Sequence, residues 1–295
     1  MEIKKVKADL HTHGFCGWST GFGQSVMRLF GDSSERDLWA VSDRCFNEGV
    51  NTLIGFVNFN DTRYEGLVNT RKGILPKGYG IYDDYKESFI GVHNRFRDIW
   101  NFIMRGQEIP TEKGHVLVLG GDKNIEHRQF EDVIKSAKDM DALRIADHAL
   151  AEFGLLGKVY DIVTGNHGRR LSLGKENLKR YAQDFDAMEV GNSNFHNLVE
   201  ESEDVAKRLD LAKVYTSDSH NLSCMFSSNM VFGNLDFSSP EKLRGSLRER
   251  LRDNQYEKVA GRNRRFETLL HAGAVLYNIA RQKIGLVKGE KVELN

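Results

Sequence analysis

A chain of 295 residues in which 42 lysines and arginines balance 42 aspartates and glutamates has no formal net charge, so global charge selects neither a nucleic-acid nor a membrane partner. The length suits one large α/β domain or two small ones with a sizeable core. Three cysteines (Cys16, Cys45, Cys224), odd in number and in no CxxC spacing, speak against a disulfide scaffold or a structural zinc site and fit a reducing compartment. The first residues are charged (Glu2, Lys4, Lys5, Lys7) without an apolar leader core, and no stretch has the apolar length to span a bilayer. The expectation is a soluble, cytoplasmic protein.

In chain order the pattern is strand, loop, helix, repeated. Val6 to His13 reads as a strand that runs out into a glycine-rich loop (Gly14, Gly17, Gly21, Gly23). Asp32-Ser33-Ser34-Glu35 offers a capping start for a helix with Leu38, Val41, Cys45 and Phe46 on one face, stopping near Gly49. Thr52 to Phe59 is a near-continuous apolar run, as a strand buried on both faces requires. Asp61 to Tyr82 is polar and irregular and is expected to be a long loop. A helix is expected from about Asp84 to Trp100, then a strand over Phe102-Ile103-Met104 leading into Gly106-Gln107-Glu108-Ile109.

After a turn at Pro110, His115 opens the strand Val116 to Leu119. Helix Phe130 to Asp139 leads to strand Leu143 to Ala146, which ends at Asp147-His148. Ala149 to Leu173 is expected to be a second long loop. Helix Lys175 to Asp184, strand Ala187 to Val190, the polar mouth Gly191 to Asn194, helix Leu198 to Leu209 and strand Lys213 to Thr216 follow, the last delivering Asp218 and His220. Strand Met230 to Phe232, helix Pro240 to Arg252 and a long amphipathic helix Phe266 to Lys283 close the chain. Strands alternating with helices imply an α/β fold on a parallel sheet, open or closed into a barrel.

In such folds the loops at the carboxyl ends of the strands build the functional site. His11 and His13, two apart on a strand, point to one face. Glu108, His148, Asp218 and His220 collect at the same edge, and His115 lies across a tight turn from Glu108. Imidazole and carboxylate ligands scattered over several strands suit Zn²⁺, Mn²⁺ or Fe. A carboxylate such as Glu108 can bridge two ions, and two ions roughly 3.5–4 Å apart clamp the attacking and leaving oxygens of a phosphoryl displacement.

From about Ala8 to about Arg252 the chain resembles the polymerase and histidinol phosphatase (PHP) superfamily of metallo-phosphoesterases. The resemblance rests on Asp9-Leu10-His11-Thr12-His13, Gly106 to Ile109 with His115, Ala146-Asp147-His148, Glu189 to Asn192 and Ser217-Asp218-Ser219-His220, in that order. It implies a distorted barrel of seven β/α units over residues 1–255, with residues 256–295 as a helical extension packed on it. It also implies phosphoester hydrolysis with two or three divalent ions, a small phosphomonoester being the expected substrate. By position, His11, His13, Glu108 and Asp218 resemble the ligands of a first ion. Glu108, His115 and His148 resemble those of a second, and His220 one of a third. The chain departs from the family where Phe56 to Asp61 replaces the usual Thr-Asp-His and where Trp18-Ser19 replaces an Asp or His. Asp61, His167 and His196 are the candidates to complete the third set.

Asp147 is either an orienting partner for an imidazole or a loop residue. Arg169 and Arg170 lie in a loop long enough to grip a substrate phosphate, although a solvated loop is the commoner case. Trp18 is read as packing, and His93, His127 and His271 as surface or core residues. Arg244, Arg248, Arg250 and Arg252 alternate with acidic residues, as a solvated helix face does, leaving Gly261 to Arg265 as a short phosphate-contacting patch. Two alternatives stand beside the phosphoesterase: a nuclease or phosphodiesterase on nucleic acid, and a degenerate metal-binding module that serves as a partner protein. Oligomeric state is left open by the sequence.

Overall fold

A computed structural model describes residues 1–13, 38–58, 63–69, 76–151, 172–193, 198–219 and 222–261. Strand β1 (Glu2–Thr12) begins with exposed Glu2 and Lys4 flanking buried Ile3, and from Ala8 onward every residue is buried. Its first half is therefore covered on one face and its second half on both. Ten more strands join it in one sheet: β2 (Asn51–Asn58), β3 (Tyr79–Tyr82), β4 (Phe89–Asn94), β5 (Ile99–Thr111), β6 (Gly114–Leu119), β7 (Leu143–Ala146), β8 (Ala187–Asn192), β9 (Ala212–Thr216), β10 (Asn229–Asp236) and β11 (Tyr256–Val259). The helices are α1 (Leu38–Phe46), α2 (Arg63–Asn69), α3 (Phe130–Asp139), α4 (Gly174–Tyr181), α5 (Val199–Arg208) and α6 (Pro240–Arg252). None of the described helices is long and apolar enough to cross a membrane.

The strand order is β11-β10-β1-β2-β5-β6-β7-β8-β9, with the β3–β4 ribbon attached to β5 through β4. From β1 to β9 the sheet curls round on itself. Thr12 forms a parallel bridge with Ser219, just beyond β9, and the His13 amide donates to the Ser219 carbonyl at 2.9 Å. The result is a nearly closed, distorted barrel of α/β class. Its strands are parallel except for β6, which runs antiparallel to both β5 and β7, so the all-parallel expectation is corrected. The sheet also continues past residue 255, because β11 pairs antiparallel with β10.

The expected helix at Asp84 to Trp100 is instead a β-hairpin. Phe89, Ile90, Val92, Ile99, Trp100, Phe102 and Ile103 are β-branched or aromatic residues that suit a pleated, covered surface. Asn94 closes the turn by accepting from the amides of Phe96 at 3.1 Å and Arg97 at 3.2 Å, and Asp98 takes the left-handed conformation at φ 52°. The expected loop at Asp61 to Tyr82 likewise contains α2 and β3. The short strand expected at Phe102 to Met104 extends through Thr111, which puts Glu108 inside β5 rather than beyond its end.

Helix α1 buries Leu38, Val41, Cys45 and Phe46, the face its spacing requires, and Gly49 follows with φ 72°. Its proposed cap at Asp32 to Glu35 lies outside the described residues, as does the expected helix Phe266 to Lys283. Arg244 and Arg248 of α6 depart from the solvated-face reading, whereas Arg252 is exposed as that reading expects. Arg244 is buried, donating to the Gly120 carbonyl at 2.8 Å and to Asp141, while Arg248 ties Asp186 to the carbonyls of Asp141 and Ala142. These two side chains pin α6 onto the strand ends.

Two local features hold β1 in place. At Gly55 the strands approach so closely that a Cβ would lie 2.2 Å from the Leu10 carbonyl oxygen, beside the bulge that interrupts β1–β2 pairing between Asp9 and Thr12. Lys7 bonds Glu48 at 2.5 Å, and Arg44 bonds the other oxygen of the same carboxylate. Burial pushes Glu48 up, but these two cations outweigh it and hold the carboxyl below the usual range.

Gly55→Ala is expected to destabilise the fold by about 2–3 kcal/mol, because the added methyl meets backbone rather than a movable side chain; urea unfolding measures it. Glu48→Gln is expected to cost about 1–2 kcal/mol at pH 7. A depressed folded pKa stabilises above the unfolded value and loses that contribution as pH falls, so the deficit should shrink below about pH 4.5. Unfolding curves of both proteins at pH 7 and pH 4 test the sign.

Candidate metal centre

Strand alternation and the β1 bulge bring His11 and His13 to one cavity at the closing seam of the barrel. Both rings are buried, with their Nε2 atoms 3.1 Å apart. Asp218, just past β9, places Oδ1 3.3 Å from His13 Nε2 and 3.6 Å from His11 Nε2. Glu108 Oε2 comes to 3.3 Å from His13 Nε2 and 3.8 Å from His11 Nε2. Ligand atoms disposed tetrahedrally about 2.1 Å from one ion stand about 3.4 Å from each other; the His11, His13 and Asp218 donors, 3.1–3.6 Å apart, come near that spacing, and Glu108 Oε2 approaches the two imidazoles of the set.

A second set adjoins the first. The other Glu108 oxygen, Oε1, contacts His115 Nδ1 and lies 3.2 Å from His148 Nε2. Asp147 Oδ2 lies 3.1 Å from the same His148 nitrogen and 4.0 Å from His115 Nδ1. The two ligand-bearing residues at the ends of β7 and β9 pay a conformational cost to point inward: His148 has φ 23° and Asp218 φ 47°. Backbone strain of this kind persists only where its surroundings enforce it, and it gathers at functional sites.

Behind these donors sits a layer that aims them. Glu189 Oε1 faces His11 Nδ1 at 3.0 Å and accepts from the Thr216 hydroxyl. Glu189 Oε2 accepts from the His148 amide and from Asn192 Nδ2, each at 2.9 Å. Asn192 Nδ2 also reaches Asp218 Oδ2 at 3.2 Å. With its Nδ1 facing Glu189 and Asp147 Oδ1 (3.2 Å), His11 turns Nε2 toward His13, Asp218 and Glu108, the arrangement by which carboxylates orient an imidazole for a metal. Asp9 has a different task. It accepts from the Ser217 amide at 3.0 Å, the Ser217 hydroxyl at 2.5 Å and the Phe226 amide at 2.8 Å, tying β1 to the segment after β9. Burial dominates its titration and raises it to about 6 despite those bonds.

The charges fit a cation. Burial pushes Glu108 up, yet His115, His11 and His13 outweigh it and hold it well below the carboxylate range. Burial also acts on Glu189, but His11 and His148 bring it down to about 2. Asp147 goes the other way, raised well above its ordinary value chiefly by burial. Both of its oxygens are buried and neither meets a donor in hydrogen-bond geometry. A carboxylate out of water without a hydrogen bond costs several kcal/mol or more, and the cluster of imidazoles and carboxylates around Asp147 is suited to a divalent ion.

Of the residues expected from the sequence, His11, His13, Glu108, His115, His148 and Asp218 converge here. His220, Arg169 and Arg170 lie outside the described residues, as do Asp61, His167, His196 and Trp18. His93 stands apart, stacked on Trp100 and beside Asp98. Asp147 joins both neighbouring groups, with Glu108, His115 and His148 on one side and with His11 and Glu189 on the other. The roles of Glu189, Asn192 and Thr216 were not assigned from sequence. The available signal was the polar interruption of an otherwise apolar strand, Ala187-Met188-Glu189-Val190.

No protein-family model and no curated protein matches the sequence. Among solved structures, the chain is similar to a two-domain protein from Bacteroides vulgatus ATCC 8482 described as containing a predicted PHP-like metal-dependent phosphoesterase. The identity is 13% over 88% of this chain and 66% of that one, with a TM-score of 0.45. It is also similar to PsfC from Pseudomonas syringae PB-5123, at 14% identity over 96% of this chain and 100% of that one, with a TM-score of 0.48.

His148 gives this centre a pH signature. Burial lowers its affinity for a proton, but Asp147 and Glu108 prevail and raise the imidazole to about 10. The metal-free protein therefore holds His148 protonated at pH 7–8, whereas an imidazole ligand must be neutral. Metal loading is expected to release protons, and apparent affinity to rise with pH toward about 10. Calorimetric titration in buffers of different ionisation enthalpy measures the protons released.

Proposed function

We propose that this chain is a metal-dependent phosphoesterase of the PHP type, with a small phosphomonoester as substrate. One observation carries the reading: the two oxygens of Glu108 are divided between two sets of donors. Oε2 faces His11 and His13, and Oε1 faces His115 and His148. A carboxylate split in this way is what a two-ion hydrolytic centre requires of its bridge.

In this reading His11, His13, Asp218 and Glu108 hold one divalent ion, and Glu108, His115 and His148 hold another; Zn²⁺, Mn²⁺ and Fe all suit these ligands. His220 is assigned to a third position, with Asp61, His167 or His196 beside it. When bound, such ions acidify water and neutralise charge on phosphoryl oxygens. The protein's own contribution is orientation. Glu189 and Thr216 hold His11, Asn192 steadies Asp218, and the Asp9 clasp keeps β1 against the chain beyond β9. Burial of these donors strengthens their attraction for a cation. Arg169 and Arg170 are assigned to the substrate phosphate. We assign residues 1–255 to the barrel, with the following residues as an extension that begins by adding β11 to its sheet, and place the protein in the cytoplasm.

The commitment of Arg244 and Arg248 to α6 docking takes support from a polyanion-binding face and favours a small substrate over nucleic acid. His11→Ala and Asp218→Ala are each expected to lower phosphomonoester turnover by about a hundredfold or more with the fold retained, because each removes a ligand rather than packing. Unchanged turnover of either variant in metal-replete buffer would sink the reading. Turnover of diesters alone, weakened steeply by salt, would move the assignment to a nuclease. No turnover by metal-loaded wild type would move it to a metal-binding partner protein.

A further inference from the structure

Each imidazole of the centre has a side that faces the donors and a side that faces its support, and Asp147 can be placed by asking which side it occupies. His11 turns Nε2 toward His13 and faces Glu189 at 3.0 Å and Asp147 Oδ1 at 3.2 Å with Nδ1, so both carboxylates stand behind that ring. For His148 the nitrogen nearest Glu108 is Nε2, at 3.2 Å, and Asp147 Oδ2 lies 3.1 Å from that same atom. The two oxygens of Asp147 thus differ: Oδ1 lies behind His11, where an orienting carboxylate belongs, whereas Oδ2 stands beside Glu108 on the donor side of His148.

Its own bonding agrees. Glu189 accepts from the His148 amide, Asn192 and Thr216 besides facing His11, as a fixed support does. Asp147 is wholly buried, and neither oxygen meets a donor in hydrogen-bond geometry. Charge balance points the same way. Glu108 is shared between two positions, so without Asp147 the second divalent ion would face two neutral imidazoles and half of one carboxylate.

We infer that Asp147 is a direct ligand of the second ion, completing a set of two imidazoles and two carboxylates with Glu108, His115 and His148. This rests on the two-ion reading proposed above. It gives Asp147 a place that the sequence alone, which allowed an orienting or a loop role, does not supply.

The test reads metal rather than turnover. Wild-type protein loaded with Co²⁺ or Zn²⁺ is expected to hold at least two ions per chain. Asp147→Asn is expected to keep the first ion and to bind the second at least about tenfold more weakly, by elemental analysis and chelator competition. In the Co²⁺-loaded protein, Asp147→Cys is expected to add a thiolate-to-cobalt charge-transfer band in the near ultraviolet that wild type lacks. A thiolate held behind an imidazole would not produce that band. Two ions in Asp147→Asn at unchanged chelator resistance, or no new band in a Co²⁺-loaded Asp147→Cys that holds its ions, would overturn the assignment of Asp147 while leaving the two-ion centre intact. Fewer than two ions in the wild type would remove the two-ion reading and this inference together.

Discussion

The constraint on which the rest depends is the gathering of His11, His13, His115 and His148 with Glu108, Asp147, Glu189 and Asp218 out of water in one cavity. Ionised groups so placed are tolerated only when each finds a partner of opposite sign, and Asp147, facing imidazoles without hydrogen-bond geometry, is placed to suit a cation. The cavity is built around that requirement. Strain is accepted at His148 and Asp218, and the inner ends of the strands carry polar residues where a core would otherwise be apolar.

Closure of the barrel and assembly of the centre are the same event. Asp9 grips Ser217 and Phe226 in the segment that carries Asp218, and the Thr12–Ser219 bridge lies next to His13. A barrel left open at this seam would separate Asp218 from the two histidines of β1. The close approach at Gly55 sets the opposite flank of β1, so the register of one strand is defined from both sides. Stability of the fold and geometry of the centre are therefore coupled through β1.

Much of this was legible in the sequence because histidines and carboxylates at strand ends are local signals. His11 and His13 share a face by strand alternation, and helices α3 and α6 fall at the residues expected for them. The hairpin at Phe89 to Thr111 was not legible as such, because its turn depends on the Asn94 side chain and on Asp98 in a left-handed conformation, both compatible with a helical reading of the same residues. Asp147 was ambiguous for a different reason. Whether a carboxylate next to a histidine stands before or behind the ring is decided by which nitrogen faces the cavity, and only three-dimensional placement gives that.

The reversed strand explains how His115 reaches a site otherwise made by carboxyl ends. In a parallel barrel only the ends of strands look into the mouth, so a residue at the start of a strand would belong to the opposite rim. Strand β6 instead returns from β5 through a tight turn, with Pro110 opposite His115 and Glu108 opposite Leu117. Its first residues therefore lie at the same rim as the last residues of β5. Glu108 and His115 become neighbours across one hairpin, fixed in register by hydrogen bonds of the sheet rather than by a long loop. The bridge of the proposed centre and one of its imidazoles are thus held on the stiffest local unit available, while His148 and Asp218 arrive on strained strand ends.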